Sequence, residues 1–207
     1  MESSGKQPNN DSYNSKEINL FPTQIWIFPP AEEMTKDIQN MEQQALALRD
    51  SKTELGVPTI SGRGIWRMPS PHLNAEFKNA TDRIELLLSA TCKRLGLPAG
   101  RRKFDTWLNV YDPGSYHIQH QHSPNLLSGV LYLSDIQESG RIIFKDPRPS
   151  RQCFKETQGG PIEIPISTTA GGAAVFPSWL EHYVEENHTN RITACIAFNL
   201  GELIGAH

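Results

Sequence analysis

Apolar positions in the first half of the chain recur with the period of a helix. Met34, Ile38, Met41, Ala45 and Leu48 are spaced alternately by four and three residues, which places them on one face of an amphipathic helix. A second helix is predicted from about residue 75 to residue 95, with Gly96 near its end. Its buried stripe is predicted to comprise Phe77, Ala80, Ile84, Leu87, Leu88, Thr91 and Leu95. The stretch between the two helices, "TISGRGIWRMPSPH", is rich in turn formers and is predicted to be a connection.

The pattern changes to that of strands after Pro98. Short β-prone runs follow one another, separated by Gly, Pro, Asp and Ser: "FDTWLNVY", "LLSGVLYL", "GRIIFKD", "GPIEIPIS", "GAAVFPS" and "RITACIAFNL". An earlier strand is predicted in "INLFPTQIWIF", which stops at Pro29 and Pro30. Helices followed by strands, with no helical pattern between the strands, predict a mainly β (α+β) fold. We expect an antiparallel sandwich or jelly roll buttressed by N-terminal helices.

Composition limits the classes of protein to consider. Residues 1–17 are almost wholly polar and are predicted to be a disordered leader, with residues 18–207 forming a single domain. The 20 basic and 23 acidic residues give a formal charge of -3, which argues against a general electrostatic nucleic-acid binder. No apolar stretch is long enough to span a bilayer, and the cysteines lack CxxC spacing. A soluble protein of a reducing compartment, the cytoplasm, is predicted.

Histidines are concentrated in "YHIQHQHSPNLLSGVLYL", residues 116–133, which holds three of the chain's seven. His120 and His122 are two residues apart, so in an extended segment both imidazoles leave the same face and can converge on one ion. His117 is three residues from His120 and would point the other way if the strand continued. His182, just beyond the strand "AAVF", is the third candidate ligand, and a jelly roll supplies the chain reversal that it requires.

An arginine begins the strand "RITACIAFN", nine residues after His182. Strand alternation places Arg191, Thr193 and Cys195 on one face. A guanidinium on a half-buried strand face requires an anion, and a carboxylate bound in a bidentate manner, with the Thr193 hydroxyl beside it, would satisfy it. A metal-chelating dicarboxylate therefore fits the histidines and the arginine together. The alternative is a structural salt bridge from Arg191 to Glu185 or Glu186.

The order HxH, "SGVLYL", "SGRIIF" and "FPSWLEHYVEENHTNRITACIAFN" resembles the iron(II)- and 2-oxoglutarate-dependent dioxygenases. It is most similar to a phage and bacterial group of 2-oxoglutarate–iron oxygenases related in fold to prolyl hydroxylases, over roughly residues 104–200. The resemblance implies a double-stranded β-helix, which is a jelly-roll or cupin-like fold. It also implies that His120 and His182 bind iron, that Arg191 binds the C5 carboxylate of 2-oxoglutarate, and that Thr193 is the small hydroxyl residue beside it.

The third ligand departs from the pattern of most relatives, which carry HxD. Here His122 occupies the place of the carboxylate, and Asp112 and Asp135 are the alternative carboxylate ligands. A neutral imidazole leaves the site one unit more positive than a carboxylate would. Asn109 and Tyr132, with Trp107, fall on strands beside the histidines and are expected to line the cosubstrate pocket. No residue beyond the metal ligands is predicted to act in the chemistry.

The resemblance implies Fe(II), 2-oxoglutarate and O2 as cofactors, and hydroxylation of a C–H bond with decarboxylation of 2-oxoglutarate to succinate. A small-molecule or peptide substrate is expected, in the host cytoplasm if the chain is phage-encoded. Residues 62–72 and 145–158, with the basic side chains of Arg148, Arg151 and Lys155, are candidates for the substrate-selecting rim. The alternatives are a cupin-like three-histidine metalloprotein such as a thiol dioxygenase, with Arg191 holding the substrate's carboxylate, and a catalytically silent jelly-roll binding protein.

Overall fold

The computed structural model describes residues 21–51, 57–58, 62–136, 140–148 and 162–204. The polar leader and the start of the domain at residue 18 lie outside these ranges. Within them the chain forms helices α1 (Thr35–Asp50) and α2 (Lys78–Arg94) and the strands β1 (Trp26–Phe28), β2 (Val57–Pro58), β3 (Gly62–Pro69), β4 (Arg102–His120), β5 (Leu127–Tyr132), β6 (Ile142–Lys145), β7 (Glu163–Ile166), β8 (Ala173–Pro177), β9 (His182–Val184) and β10 (Thr193–Leu203). Neither helix is long and apolar enough to cross a membrane.

The strands form one curved antiparallel sheet. Its order is β1-β8-β5-β10-β4-β9-β6-β7, and β3 pairs with β4 as well as with β2. The long strand β4 pairs with β10 over its first half and with β9 at its end, where His117 lies opposite Val184 and His120 opposite His182. Residues of β3, β4, β5, β6, β8, β9 and β10 line one cavity. The architecture confirms the predicted double-stranded β-helix with helices packed outside it.

The sheet has a helix-covered face and a cavity face, and β10 shows how they alternate. Ala194, Ile196 and Phe198 belong to the core cluster that also contains the buried stripes of α1 and α2. Cys195 belongs to a second cluster on the opposite face, together with Tyr111 and Tyr132. This alternation is the one predicted for "RITACIAFN", because successive side chains of a strand point to opposite faces.

The predicted helical stripes are confirmed with one exception. Ile38, Met41 and Ala45 of α1 are buried, as are the predicted positions of α2 up to Thr91. Leu95 is 40 % exposed, which corrects the expectation that it belongs to the stripe. The physical reason is that α2 ends at Arg94 and the chain turns through Gly96, whose φ of 64° is the left-handed conformation typical of a helix end.

Strand β3 is the main element that sequence reasoning missed, because residues 62–69 were predicted to be part of a connection. The strand pairs with β4, so that Arg67 lies opposite Asn109. Gly62 permits this pairing, since a Cβ there would collide with the backbone oxygen of Tyr116. Pairing with a long neighbouring strand therefore overrides the local preference of the glycines for turns.

Candidate metal centre and its cavity

Three histidines meet at one end of the cavity. His120 ends β4, His122 follows two residues later, and His182 begins β9. One potential ligand nitrogen from each ring lies within 4.8 Å of the others. The ring centres are 4.4 Å apart for His120 and His182, 4.8 Å for His120 and His122, and 5.3 Å for His122 and His182. The fold thus brings together the three residues that the sequence singled out as metal ligands.

Backbone hydrogen bonds orient two of the rings. Nδ1 of His120 lies 2.7 Å from the carbonyl oxygen of Ile118, and Nδ1 of His182 lies 2.9 Å from that of Leu180. A carbonyl oxygen can only accept, so each Nδ1 carries the proton and each Nε2 keeps a free lone pair. Such bonds fix the tautomer and the ring orientation of metal-binding histidines. The backbone N–H of His122 donates to the oxygen of Ser178 at 2.8 Å, which ties this residue to the turn before β9.

Burial keeps the cluster neutral. Burial, followed by the nearby His120, lowers the pKa of His182 to about 3 and that of His122 to about 4. The pKa of His120 is lowered as well, again mainly by burial. Phe176 and Phe144 pack against the ring of His182, with ring centres 4.8 and 5.9 Å from it, and so supply its apolar surroundings. Neutral imidazoles with free lone pairs are the form that binds a metal.

A fourth histidine also lines the cavity. His117 is 7 % exposed, and its ring centre is 4.3 Å from that of His120. The expectation that it points away is wrong, because the pairing of β4 with β9 shifts register between the two residues. The Pro113-Gly114 pair of the same stretch marks a different irregularity, where the pairing of β4 with β3 is interrupted between Tyr111 and Tyr116.

The cavity wall beyond the histidines carries polar side chains. Asn109, Tyr132 and Thr193, the residues expected at a cosubstrate pocket, are buried and line it, as do Tyr111 and Cys195. Burial raises the pKa of Tyr132 and raises that of the Cys195 thiol to about 12, so both groups keep their protons at neutral pH. Among the described residues that line the cavity there is no Asp or Glu. The described lining therefore offers an anion hydrogen-bond donors and no competing carboxylate.

Arg191 does not lie where strand alternation predicted. Its side chain is exposed, and it is not among the residues that line the cavity. The reason is local, because β10 begins only at Thr193 and the preceding turn is held by the Asn187 side chain, whose Nδ2 donates to the Arg191 carbonyl oxygen at 2.8 Å. The alternative of a salt bridge with Glu185 is not observed either, since Glu185 pairs with Arg141.

Arg67 is the arginine that does line the cavity. It is half-buried on β3, and its Nε donates to Asn109 Oδ1 at 2.9 Å. Its guanidinium carbon lies 5.6 Å from the ring centre of Trp107, and that ring lies 5.7 Å from the ring of His122. Among the described residues it is the only Asp, Glu, Lys or Arg in the cavity lining. Sequence reasoning missed it because residues 62–69 were predicted to be a turn-rich connection.

The alternative carboxylate ligands lie elsewhere. Asp112 pairs with Arg49 of α1, and Asp135 accepts the backbone N–H of Ala170 at 2.8 Å. Neither lines the cavity. An all-histidine set is therefore the one that the described residues offer.

Among the described residues, His72, His188 and Arg148 do not join the site. His72 bonds to the Thr106 hydroxyl at 2.6 Å, and His188 is exposed near Glu186. Arg148 is exposed and pairs with Asp146. Arg151 and Lys155 lie outside the described residues, as does His207.

From the lowered pKa values of the histidines in the cluster we predict how the stability of the metal-free protein depends on pH. Their folded-state pKa values lie below the unfolded value of about 6.5, so the unfolded chain binds more protons once the pH falls below that value. The free energy of unfolding should therefore decrease between pH 7.5 and 5.5, a range in which ordinary carboxylates stay ionised. Urea denaturation at a series of pH values measures this decrease. His182→Asn should make the free energy of unfolding depend less steeply on pH, whereas replacement of the exposed His188 by Asn should leave the pH dependence unchanged. A midpoint that is constant over this range would contradict the prediction.

Comparisons with known proteins agree with the geometry. Residues 105–199 match the family described as "Putative 2OG-Fe(II) oxygenase". A prolyl-4-hydroxylase of Pseudomonas putida shares 18 % identity and a TM-score of 0.66, covering 87 % of this chain and 93 % of its own. HygX of Streptomyces hygroscopicus, crystallised with nickel and 2-oxoglutarate, shares 15 % identity and a TM-score of 0.59, covering 86 % and 83 %.

A third solved structure extends this agreement. The prolyl hydroxylase of Trichoplax adhaerens, in complex with a hypoxia inducible factor peptide fragment, shares 16 % identity and a TM-score of 0.61, covering 86 % of this chain and 83 % of its own. No curated protein sequence matches the chain. The structural likeness establishes the fold, and the family match covers the segment that carries the three histidines. Residues 105–199 are therefore similar in sequence to the iron(II)- and 2-oxoglutarate-dependent oxygenases, and the chain shares the fold of these solved structures.

Proposed function

We propose that this protein hydroxylates a C–H bond of a small-molecule or peptide substrate, with decarboxylation of 2-oxoglutarate to succinate. The observation that carries the proposal is the convergence of His120, His122 and His182 on one point of a cavity that contains a guanidinium and no described carboxylate; His182 is buried and the other two are partly buried, and all three are neutral. The set matches in position the metal ligands that the family resemblance implies. A prolyl hydroxylase with a bound peptide and an oxygenase from Streptomyces with bound 2-oxoglutarate, both similar in fold, support this class of reaction.

The donor atoms fit iron(II). Imidazole nitrogen suits iron among the divalent metals, and three protein ligands leave positions open for other molecules. Three neutral ligands do not cancel the charge of a divalent ion, so the site favours a dianionic cosubstrate. When bound, iron and 2-oxoglutarate together supply the oxidation of a C–H bond by O2, and the protein supplies binding, orientation and electrostatics.

The residues of this chain have separate tasks in that reaction. His120, His122 and His182 would hold the metal, with the Nδ1 bonds of His120 and His182 fixing their orientation. The protonated hydroxyl of Tyr132 and that of Thr193 are donors on the cavity wall for cosubstrate oxygens. Apolar side chains of the cavity lining would keep water from the reacting atoms. These are Val130, Ile136, Ile142 and Val184.

Anaerobic titration tests the proposal. Adding Fe(II) and then 2-oxoglutarate to the metal-free protein should produce the weak visible charge-transfer absorption of a chelated 2-oxo acid. Exposure to O2 should then release succinate and consume one equivalent of O2. A protein that binds Fe(II) but gives no absorption at saturating 2-oxoglutarate would contradict the assignment of the cosubstrate.

A second candidate is a three-histidine dioxygenase that does not use 2-oxoglutarate, such as a thiol dioxygenase. The observation that favours it is the absence of a carboxylate among the described residues of the metal cluster. Such an enzyme would consume O2 with a thiol substrate and release no succinate.

A protein that retains no divalent metal, and whose thermal stability is unchanged by added iron, would instead be a silent binding protein.

A further inference from the structure

We propose that Arg67 of β3, and not Arg191, binds the distal carboxylate of 2-oxoglutarate. This inference rests on the proposed function and deepens it, because it transfers a binding role from the position that the family resemblance implies to a strand that the resemblance does not mention. It is carried by the environment of Arg67, by its place in the sheet and by the position of Arg191.

The environment of Arg67 requires an anion. The side chain is half-buried in the cavity wall, and burial lowers the pKa of its guanidinium, because part of its charge is removed from water. Tyr111 and Cys195 adjoin the guanidinium, but burial raises the pKa of each, so both are protonated at neutral pH and carry no charge that would compensate it. Among the described residues no carboxylate forms an ion pair with Arg67. A bound carboxylate would compensate the buried charge and accept its remaining N–H donors.

The sheet places Arg67 in a row of cavity-lining side chains. Arg67 lies opposite Asn109, Asn109 opposite Cys195, and Cys195 opposite Tyr132, so the row crosses β3, β4, β10 and β5. All four side chains line the cavity. A ligand chelated at the histidines can therefore extend along this wall, with its distal end at the guanidinium.

Two contacts hold the guanidinium in a defined orientation. Asn109 accepts the hydrogen bond from Nε, and the guanidinium carbon lies over the ring of Trp107. Nε is thus occupied while the two terminal nitrogens remain as donors, which suits recognition of a carboxylate. Trp107 also contacts His122, so one aromatic ring connects the anion-binding group with the metal cluster. Asn109 and Trp107 are positioning residues in this arrangement.

The position of Arg191 excludes the same role for it in this structure. Its side chain is exposed and absent from the cavity lining, and β10 contributes Thr193 and Cys195 to the wall instead. Thr193 lies opposite Tyr111, one row from Asn109 and Arg67. Its hydroxyl can therefore still serve a ligand that is anchored from β3 rather than from β10.

A comparison of two 2-oxo acids tests the inference. 2-Oxopentanoate has the same chelating end as 2-oxoglutarate but a methyl group in place of the distal carboxylate. Binding of each acid is measured without O2 by calorimetry on the Ni(II)-loaded protein, so no turnover is needed. We expect Arg67→Gln to weaken 2-oxoglutarate binding about 10- to 100-fold, since a charge-assisted hydrogen-bonded pair is lost, and to leave 2-oxopentanoate unchanged. Arg191→Gln should change neither affinity.

Arg67→Lys keeps the positive charge but lacks the planar guanidinium, so its affinity for 2-oxoglutarate should fall less than that of Arg67→Gln. This variant also allows the test if Arg67→Gln does not fold. Equal weakening of both acids by Arg67→Gln would show a structural role and overturn the inference. Selective loss of 2-oxoglutarate binding in Arg191→Gln would assign the carboxylate to Arg191 instead. Failure of the unaltered, metal-loaded protein to bind 2-oxoglutarate would instead overturn the proposed function.

Discussion

Replacing His182 by Ala is expected to weaken Fe(II) binding by more than about 100-fold, because loss of an outer partner of a metal ligand alone costs about 10- to 100-fold. His182 is the ligand that joins two distant parts of the chain, since β9 carries it to the end of β4 opposite His120. Two histidines would remain, and the ring that Phe176 and Phe144 orient would be gone. Competition with a chromophoric chelator under anaerobic conditions measures the affinity.

The matched control is His188→Ala. His188 is exposed, and its Nδ1 is 3.9 Å from Glu186 rather than in the metal cluster. This variant should bind Fe(II) within about twofold of the unaltered protein. If His182→Ala kept affinity within a few-fold while His120→Ala lost it, the metal would have to be held by a set that excludes β9, and the three-histidine centre would be wrong.

Phe198→Ala is expected to destabilise the protein by about 3–5 kcal/mol, the usual cost of deleting a buried aromatic side chain. The ring is fully buried at the centre of β10, in the cluster that joins the helices to the sheet. It also fills the space over Gly129 of β5, where a Cβ would collide with its ring atoms. The change in the free energy of unfolding can be measured by urea denaturation of the metal-free protein.

Leu86→Ala is the control for that measurement. Leu86 lies on α2 but is 65 % exposed, so its removal should change stability by no more than about 0.5 kcal/mol. A loss below about 1 kcal/mol in Phe198→Ala would mean that the helix layer repacks onto the sheet, and the core would then be more plastic than its burial indicates.

Local sequence patterns were sufficient for the elements that bury one face. The spacing of Ile38, Met41 and Ala45 predicted α1, because a helix must repeat its apolar positions every three to four residues. Alternation in β10 predicted which side chains face the helices. The two-residue period of a strand also predicted that the side chains of His120 and His122 point to the same site, although His122 lies just beyond the end of the strand.

Positions near irregular backbone were not predictable in this way. His117 faces the cavity because a register shift separates it from His120. Arg191 faces solvent because the strand starts two residues later than the β-prone run. In both cases the period of the strand was extended across a point where the regular strand pairing is interrupted, and a shift of one residue moves a side chain to the opposite face.

The sequence by itself determined the class of fold, the two helices, most strands and the three histidines, because each depends on the period of neighbouring side chains or on a short motif. The tertiary structure decided which arginine enters the cavity. Arg67 lies in a segment whose glycines favour turns, and it becomes part of a strand only because β4 offers it a long partner. The pairing of β3 with β4 joins residues about forty positions apart in the sequence, so its stabilising effect cannot be inferred from the local pattern of residues 62–69.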